Sequence, residues 1–355
     1  MLDLLSVPRE RRTAIERLAQ EFSAGRSVAI TTHINSDGDG CGSETALARL
    51  LAQMGIESKV VNPTPWPEMY RFLLGADVKD ASDRGSKALG DADVLVIMDI
   101  SDVKRLGTLA ESVRKLKIPK LVIDHHLPSD DPPSTLMVTD TKACATGELV
   151  YDFATCLNLK ITPDIARSLY VAILTDTGGF RFSNTSARCL SVAGQLIASG
   201  VEPEEMYGRL YASMPVGRLH LLRDALATLE VDPEYGISWI SVAAGAAEEY
   251  GLKSEDLEGI AEHPRSIGGT RLAIFFRDLG YNKVKVSFRS TGAVDVNEFA
   301  KKFAGGGHAR AAGALIEGPI ETVRHDVVAA ARDFLRAADA AKPKRAARRT
   351  QKGDR

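Results

Sequence analysis

The stretch Ser27-Val-Ala-Ile-Thr-Thr32-His33-Ile-Asn-Ser-Asp37-Gly-Asp39-Gly-Cys-Gly42 passes from an apolar run of strand length into a glycine-rich turn carrying an imidazole and two carboxylates. Ser27 to Thr32 reads as a buried strand, and Ser43 to Met54, stopped by Gly55, as the helix after it. The same unit recurs downstream. Asp93-Val-Leu-Val-Ile-Met98 is ended by Asp99, and Lys120-Leu-Val-Ile123 by Asp124-His125-His126. Tyr170-Val-Ala-Ile-Leu174 is a further apolar run, helical or extended, leading to Asp176. Short buried runs alternating with helical stretches predict a mostly parallel α/β sheet. The carboxyl ends of such strands lie along one edge. His33, Asp37, Asp39, Asp99, His125, His126 and Asp176 are therefore expected together, at four strand ends.

Beyond Ala187 the pattern changes. Ala187 to Ser199, Pro203 to Ser213 and Val216 to Leu229 have helical spacing, punctuated by Gly200 and Pro215. Ile237 to Val242, Arg271 to Phe276 and Lys283 to Phe288 then read as strands, and Ile320 to Ala338 as a closing helix. The expected organisation is a first domain over 1–190, a helical connector over 191–230, a smaller α/β domain over 231–340 and a disordered basic tail over 341–355. In that tail Lys342, Lys344, Arg345, Arg348, Arg349, Lys352 and Arg355 face Asp354 alone, so the body is more acidic than the net charge of −2 suggests.

Composition narrows the class. With 355 residues, 44% apolar and 26% charged, the chain can bury a core and is not disordered throughout. No run approaches the roughly 18 apolar residues of a membrane span, and the first residues lack the apolar core of a secretory signal. Cys41, Cys144, Cys156 and Cys189 are widely spaced and read as reduced thiols. A cytoplasmic protein with no membrane partner is expected.

At the predicted edge, five carboxylates (counting Asp124) and three imidazoles would repel and desolvate one another without cations. Oxygen and imidazole donors suit Mn²⁺, Fe²⁺ or Zn²⁺, and the lack of neighbouring cysteine ligands argues against a thiolate zinc site. So many donors fit two ions better than one. Two ions about 3.5–4 Å apart, sharing a hydroxide as nucleophile, stabilise the attacking and leaving oxygens of a displacement at phosphorus.

The set His33-x3-Asp37-x-Asp39, Asp99, Asp124-His125-His126 and Asp176 resembles the motifs of the DHH phosphoesterase superfamily. Gly305-Gly306-Gly307-His308 is similar to the GGGH signature of its DHHA1 domain. Ser287-Phe-Arg289-Ser290 and Asp295-Val-Asn297 precede it as in the NrnA-like branch of bifunctional oligoribonucleases and 3′-phosphoadenosine-5′-phosphate (pAp) phosphatases. The resemblance covers roughly residues 10–335 and implies a DHH domain followed by a DHHA1 domain. It implies His33, Asp37 and Asp99 as ligands of one Mn²⁺, and Asp39, Asp99, His125 and Asp176 as ligands of a second. Asp124 would orient a histidine, and His126 would contact the scissile phosphate. Ser36 stands where the family often has proline, and Gly40-Cys41 replaces an alanine-containing pair. Cys41 is thereby expected to be an oxidation-sensitive thiol.

Read physically, three glycines let the backbone approach a phosphate, and Arg289 suits bidentate contact with one. Together with the resemblance, this makes Ser287, Arg289, Asn297, Gly305, Gly306, Gly307 and His308 the expected substrate-binding residues. Arg310 is a weaker candidate, and Arg181 is as compatible with a surface ion pair as with a cleft. The activity implied is hydrolysis of RNA two to five residues long to mononucleotides, with removal of the 3′-phosphate of pAp. A cyclic-dinucleotide-linked enzyme acting on c-di-AMP or pApA carries the same motifs. A non-catalytic nucleotide- or RNA-binding regulator would be expected to have lost a ligand. A homodimer is compatible with the sequence and not required by it.

Overall fold

The computed structural model describes residues 4–212, 215–257, 259–292, 294–307 and 309–340. The basic tail expected over 341–355, and His308, lie outside them. The chain divides into two compact units, Met1–Ser213 and Met214–Arg355.

The first unit runs α1 (Arg9–Ala19), β1 (Ser27–Thr31), α2 (Gly38–Gln53), β2 (Glu57–Val60), α3 (Ser86–Gly90), β3 (Val94–Met98), α4 (Ala110–Lys115), β4 (Lys120–Asp124), β5 (Leu136–Thr139), α5 (Thr146–Cys156), α6 (Pro163–Asp176), α7 (Ala187–Ala198) and α8 (Pro203–Tyr211). Its five strands form a wholly parallel sheet in the order β2-β1-β3-β4-β5. Both faces are covered, which is why the strands read as continuous apolar runs. Along β3, Val94, Val96 and Met98 join the core that includes α2, α5 and α6, while Leu95 and Ile97 face the opposite core with Leu106 and Val113.

The strand order reverses between β1 and β3, since the chain leaves β1 toward one edge and β3 toward the other. A crevice opens at such a point, beyond the carboxyl ends of the two strands. His33 follows β1 by two residues and Asp99 follows β3 directly.

The glycine run after β1 belongs to a helix rather than to a turn. Asp37 caps α2, its Oδ1 accepting from the amides of Asp39 (3.0 Å) and Gly40 (3.1 Å), so the helix starts at Gly38, one turn before the expected Ser43. The glycines are needed for packing. A Cβ on Gly42 would lie 2.3 Å from the Ser168 carbonyl oxygen of α6, and one on Gly147 of α5 would lie 2.6 Å from Ala172 Cβ. Asp176 is likewise the last residue of α6, not a strand end as expected; three strand ends and one helix end supply the set.

The second unit contains α9 (Val216–Ala227), β6 (Glu230–Asp232), β7 (Ile237–Val242), α10 (Ala246–Glu249), α11 (Glu262–Arg265), β8 (Leu272–Asp278), β9 (Lys283–Ser290), α12 (Val296–Ala300), β10 (Gly306–Gly307), β11 (Ala311–Glu317) and α13 (Ile320–Ala340). Its six-stranded mixed sheet has the order β10-β11-β9-β8-β7-β6, with β7 and β8 parallel and the other pairs antiparallel. The 3.6-residue stripe Val323, Val327, Ala331 and Leu335 of α13 packs with Ile274, Phe276, Val286 and Phe288 from one face of the sheet. The fold is α/β in both units, parallel in the first and mixed in the second.

Candidate metal centre

Two histidines meet the carboxylates at the crevice. His33 Nδ1 lies 2.8 Å from the Ile34 carbonyl oxygen, and His125 Nδ1 lies 3.3 Å from that of Ala143. A carbonyl only accepts, so each Nδ1 carries a hydrogen and each Nε2, once free of a proton, turns its lone pair inward. Both Nε2 atoms are buried and have no hydrogen-bond partner. His33 Nε2 lies 3.4 Å from Asp99 Oδ2 and 3.8 Å from Asp37 Oδ2. His125 Nε2 lies 3.6 Å from Asp39 Oδ2, 3.7 Å from Asp99 Oδ1 and 3.7 Å from Asp176 Oδ2.

The carboxylates are held from behind. Asp39 accepts from the amides of Thr146 (2.7 Å) and Gly147 (2.9 Å), at the start of α5, and from the Ser43 hydroxyl at 3.1 Å. Thr146 Oγ1 donates to Asp99 Oδ1 at 2.9 Å. Asn184 Nδ2 donates to Asp176 Oδ2 at 3.1 Å and to the Cys144 carbonyl at 2.8 Å. Asp99 itself sits at φ 60°, a left-handed conformation uncommon outside glycine, asparagine and aspartate.

So much negative charge in one buried place perturbs Asp39, Asp176 and His33. Burial, reinforced by Asp99, Asp176 and Asp37, holds the Asp39 carboxyl well above its usual range. Burial and the carboxylates of Asp99 and Asp37 push Asp176 up to about 6, against the opposing pull of His125. Burial disfavours a charged His33, yet Asp37 and Asp99 outweigh it and raise its pKa to about 10. The cluster thus holds protons wherever it lacks another counter-charge.

Ligand atoms of His33, Asp37 and Asp99 lie within 4.8 Å of one another, as do those of Asp39, His125 and Asp176, and those of Asp99, His125 and His126. Buried imidazole nitrogens without partners, facing hard oxygens and no sulfur, fit divalent cations. Cys41 lies close by but is fully buried, and burial together with Glu44 pushes its thiol well up. The expected oxidation sensitivity therefore has no exposed thiolate behind it.

His126 stands beside this cluster. Its Nδ1 lies 2.7 Å from Asp124 Oδ1 and 3.5 Å from Asp99 Oδ1. Burial works against its cation, but the bond to Asp124 and the charges of Asp99 and Asp124 raise its pKa. Arg105 Nη1 lies 3.4 Å from His126 Nε2 and donates to the Asp99 carbonyl oxygen, also at 3.4 Å. Arg105, Thr146 and Asn184 escaped the sequence reading because each is a single polar residue with no spacing pattern around it.

In the second unit, Ser287 and Arg289 share one face of β9, opposite the buried Val286 and Phe288. Arg289 Nε donates to Glu262 Oε1 at 2.8 Å, so its guanidinium is partly engaged. Asn297 Oδ1 accepts from the Gly307 amide at 3.0 Å, which ties Asn297 to the glycine loop. Gly306 and Gly307 pair with Gly313 and Ala312, and a Cβ on Gly305 would lie 2.3 Å from the Gly313 carbonyl oxygen. Arg310 Nη1 donates to the Val294 carbonyl at 3.4 Å, and the exposed Arg181 donates to that of Gly178 at 2.6 Å.

Comparison with known proteins identifies both halves of the chain. Residues 27–173 match the DHH family, N-terminal domain, and residues 237–337 match the DHHA1 domain. The bifunctional oligoribonuclease and PAP phosphatase NrnA of Thermus thermophilus is 33% identical over 296 residues, covering 82% of this chain and 84% of that one. The protein of the same description from Bacillus subtilis is 27% identical over 305 residues, covering 84% and 92%. A crystal structure of an exopolyphosphatase-related protein from Bacteroides fragilis has the same fold, with a TM-score of 0.85, 24% identity and coverage of 96% of this chain and 100% of that one. Exonuclease RecJ bound to manganese is a more distant fold relative, with a TM-score of 0.54, 16% identity and coverage of 97% of each chain. With both halves matched in order and a third of the aligned residues shared with the Thermus protein, the chain belongs to the DHH family of phosphoesterases and carries a DHHA1 domain in its second half.

Proposed function

We propose that this protein hydrolyses RNA two to five residues long to mononucleotides and removes the 3′-phosphate of pAp at the same site. His33, Asp37 and Asp99 would hold one divalent cation, and Asp39, Asp99, His125 and Asp176 a second, with Mn²⁺, one of the ions that suit mixed oxygen and imidazole donors, the one the family resemblance favours. Such cations supply Lewis-acid stabilisation of charge at phosphorus and a more acidic water. The observation that carries the reading is the pair of buried, unpartnered Nε2 atoms of His33 and His125, both facing Asp99.

The chain's own residues do the rest. His126, whose pKa the bond to Asp124 helps to raise, would donate from Nε2 to a phosphoryl oxygen in its protonated form, and Arg105 brings a fixed positive charge to the same place. Asp124 is a positioning residue, fixing the ring through Nδ1. Ser287, Arg289, Asn297, His308 and the loop of Gly305, Gly306 and Gly307 are assigned to substrate binding, on the chemistry of a close-approach glycine loop beside an arginine.

The test is a product time course with Mn²⁺ and with chelator, offering pApA, an RNA pentamer, an RNA 24-mer, c-di-AMP and pAp. Turnover of the short RNAs and pAp, with the 24-mer spared and all activity lost to chelator, is the expected result. Preference for c-di-AMP over the pentamer would move the enzyme to signalling-nucleotide turnover. Metal-independent binding with no product would make it a regulator.

A further inference from the structure

A cavity of about 630 Å³ opens beside the catalytic histidine, with Asp124 and His126 forming part of its wall. It exists because the crossover from β4 to β5 carries no helix. Pro128, Pro132 and Pro133 fall in that crossover, and prolines so spaced remove the amide donors a helix needs. With no helix over this end of the sheet, Met137 of the edge strand β5 is only half-buried, and Ile100, Val122, Met137 and Pro133 form the cavity's apolar wall. Its volume lies in the range of small-molecule sites, about 300–1,000 Å³.

Resting on the activity proposed above, we infer that this cavity receives the nucleoside attached through its 5′-oxygen to the scissile phosphate. In pAp the bond broken joins phosphorus to the 3′-oxygen. Water adds its oxygen to phosphorus, the P–O3′ bond breaks, and the proton lost by water ends on the departing 3′-oxygen. If RNA is cut at the same bond, its phosphate stays on the 5′-oxygen of the next nucleoside, which leaves at the head of a 5′-phosphorylated fragment, a mononucleotide where it is the last residue. That nucleoside is present in RNA and absent from pAp, where the phosphate departs as inorganic phosphate. It needs a place adjoining His126 that pAp leaves empty. An apolar wall takes a base by its face, which suits an enzyme that does not select sequence.

Met137→Trp and Thr139→Trp test this by filling the cavity from its wall and from its exposed rim. The quantity read is the ratio of kcat/KM on pApA and the RNA pentamer to kcat/KM on pAp, with Mn²⁺ present. The ratio is expected to fall about ten- to hundred-fold in both variants, mainly through KM on RNA. An unchanged ratio overturns the inference, whether both activities persist or both fall together. If Met137→Trp does not fold, Thr139→Trp at its exposed position decides. Wild-type protein that turns over neither RNA nor pAp would defeat the underlying activity instead, so the two failures are distinguishable.

Discussion

Asp99 faces both unpartnered imidazole nitrogens at once, its Oδ2 lying 3.4 Å from His33 Nε2 and its Oδ1 3.7 Å from His125 Nε2. No other carboxylate in the crevice stands, at this range, between both of these histidines among the described residues. A residue so placed would tie the two proposed ligand groups into one site.

Asp99→Asn separates charge from fold. Asparagine tolerates the left-handed φ of 60° at this position, so the variant should fold. It keeps the shape but loses the anion shared by both groups. Turnover of pAp should fall by about a thousandfold or more. Calorimetric titration should show fewer Mn²⁺ bound per chain, while thermal unfolding of the metal-free protein changes little.

Mn²⁺ should displace protons when it binds. His33, raised to about 10, and Asp176, raised to about 6, are protonated in part or in full near neutrality in the metal-free cluster. Ligands bind metal only after losing their protons, so affinity rises with pH. Mn²⁺ should bind more tightly at pH 8 than at pH 6. The apparent binding enthalpy should vary with buffer ionisation enthalpy, and a buffer-independent enthalpy would contradict the proton-loaded cluster.

Much of this site was legible because its residues follow apolar runs. His33, Asp99 and His125 each stand just past a strand that both cores cover, and such strands announce themselves as Val/Ile/Leu runs. Asp176 was misplaced at a strand end for a related reason. Residues Leu169 to Leu174 of α6 are all buried, so no 3.6-residue period distinguished helix from strand. The start of α2 was missed because Gly38, Gly40 and Gly42 carry turn propensity locally, and only contact with α6 at Gly38 and Gly42 and with Thr32 at Gly40 explains why a helix uses them. β11 was missed because Ala311-Ala-Gly-Ala-Leu-Ile-Glu317 is poor in β-branched and aromatic residues; its pairing with β9 decides it.

Asp124→Asn should move the pH dependence of catalysis in a defined direction. His126 has a raised pKa because the Asp124 bond and the charges of Asp99 and Asp124 outweigh burial. Removing the Asp124 charge lowers that pKa, so the protonated fraction of His126 is lost at a lower pH. The alkaline limb of the kcat profile on pAp should shift down while Mn²⁺ stoichiometry holds. Loss of kcat of about ten- to hundred-fold is expected at pH 8, the size typical of removing a hydrogen-bond partner behind a functional histidine. A limb that stays in place would remove His126 from proton donation.

Glu44 gives a stability test independent of turnover. It is fully buried on α2, accepts from Asn62 Nδ2 at 2.9 Å through Oε2, and has no hydrogen-bond partner for Oε1. Burial raises its pKa to about 8, only partly offset by the Asn62 bond. The folded state therefore binds a proton more tightly than the unfolded chain. Stability should fall as pH rises from the ordinary glutamate range, near 4.5, through about 8, and level off above it. Glu44→Gln removes the titration and keeps an acceptor for Asn62. In chelator, the wild-type Tm should drop more between pH 5 and pH 8 than that of Glu44→Gln, by a difference on the order of a few degrees. Parallel Tm curves would mean that Glu44 is ionised in the folded protein and has found a partner for Oε1.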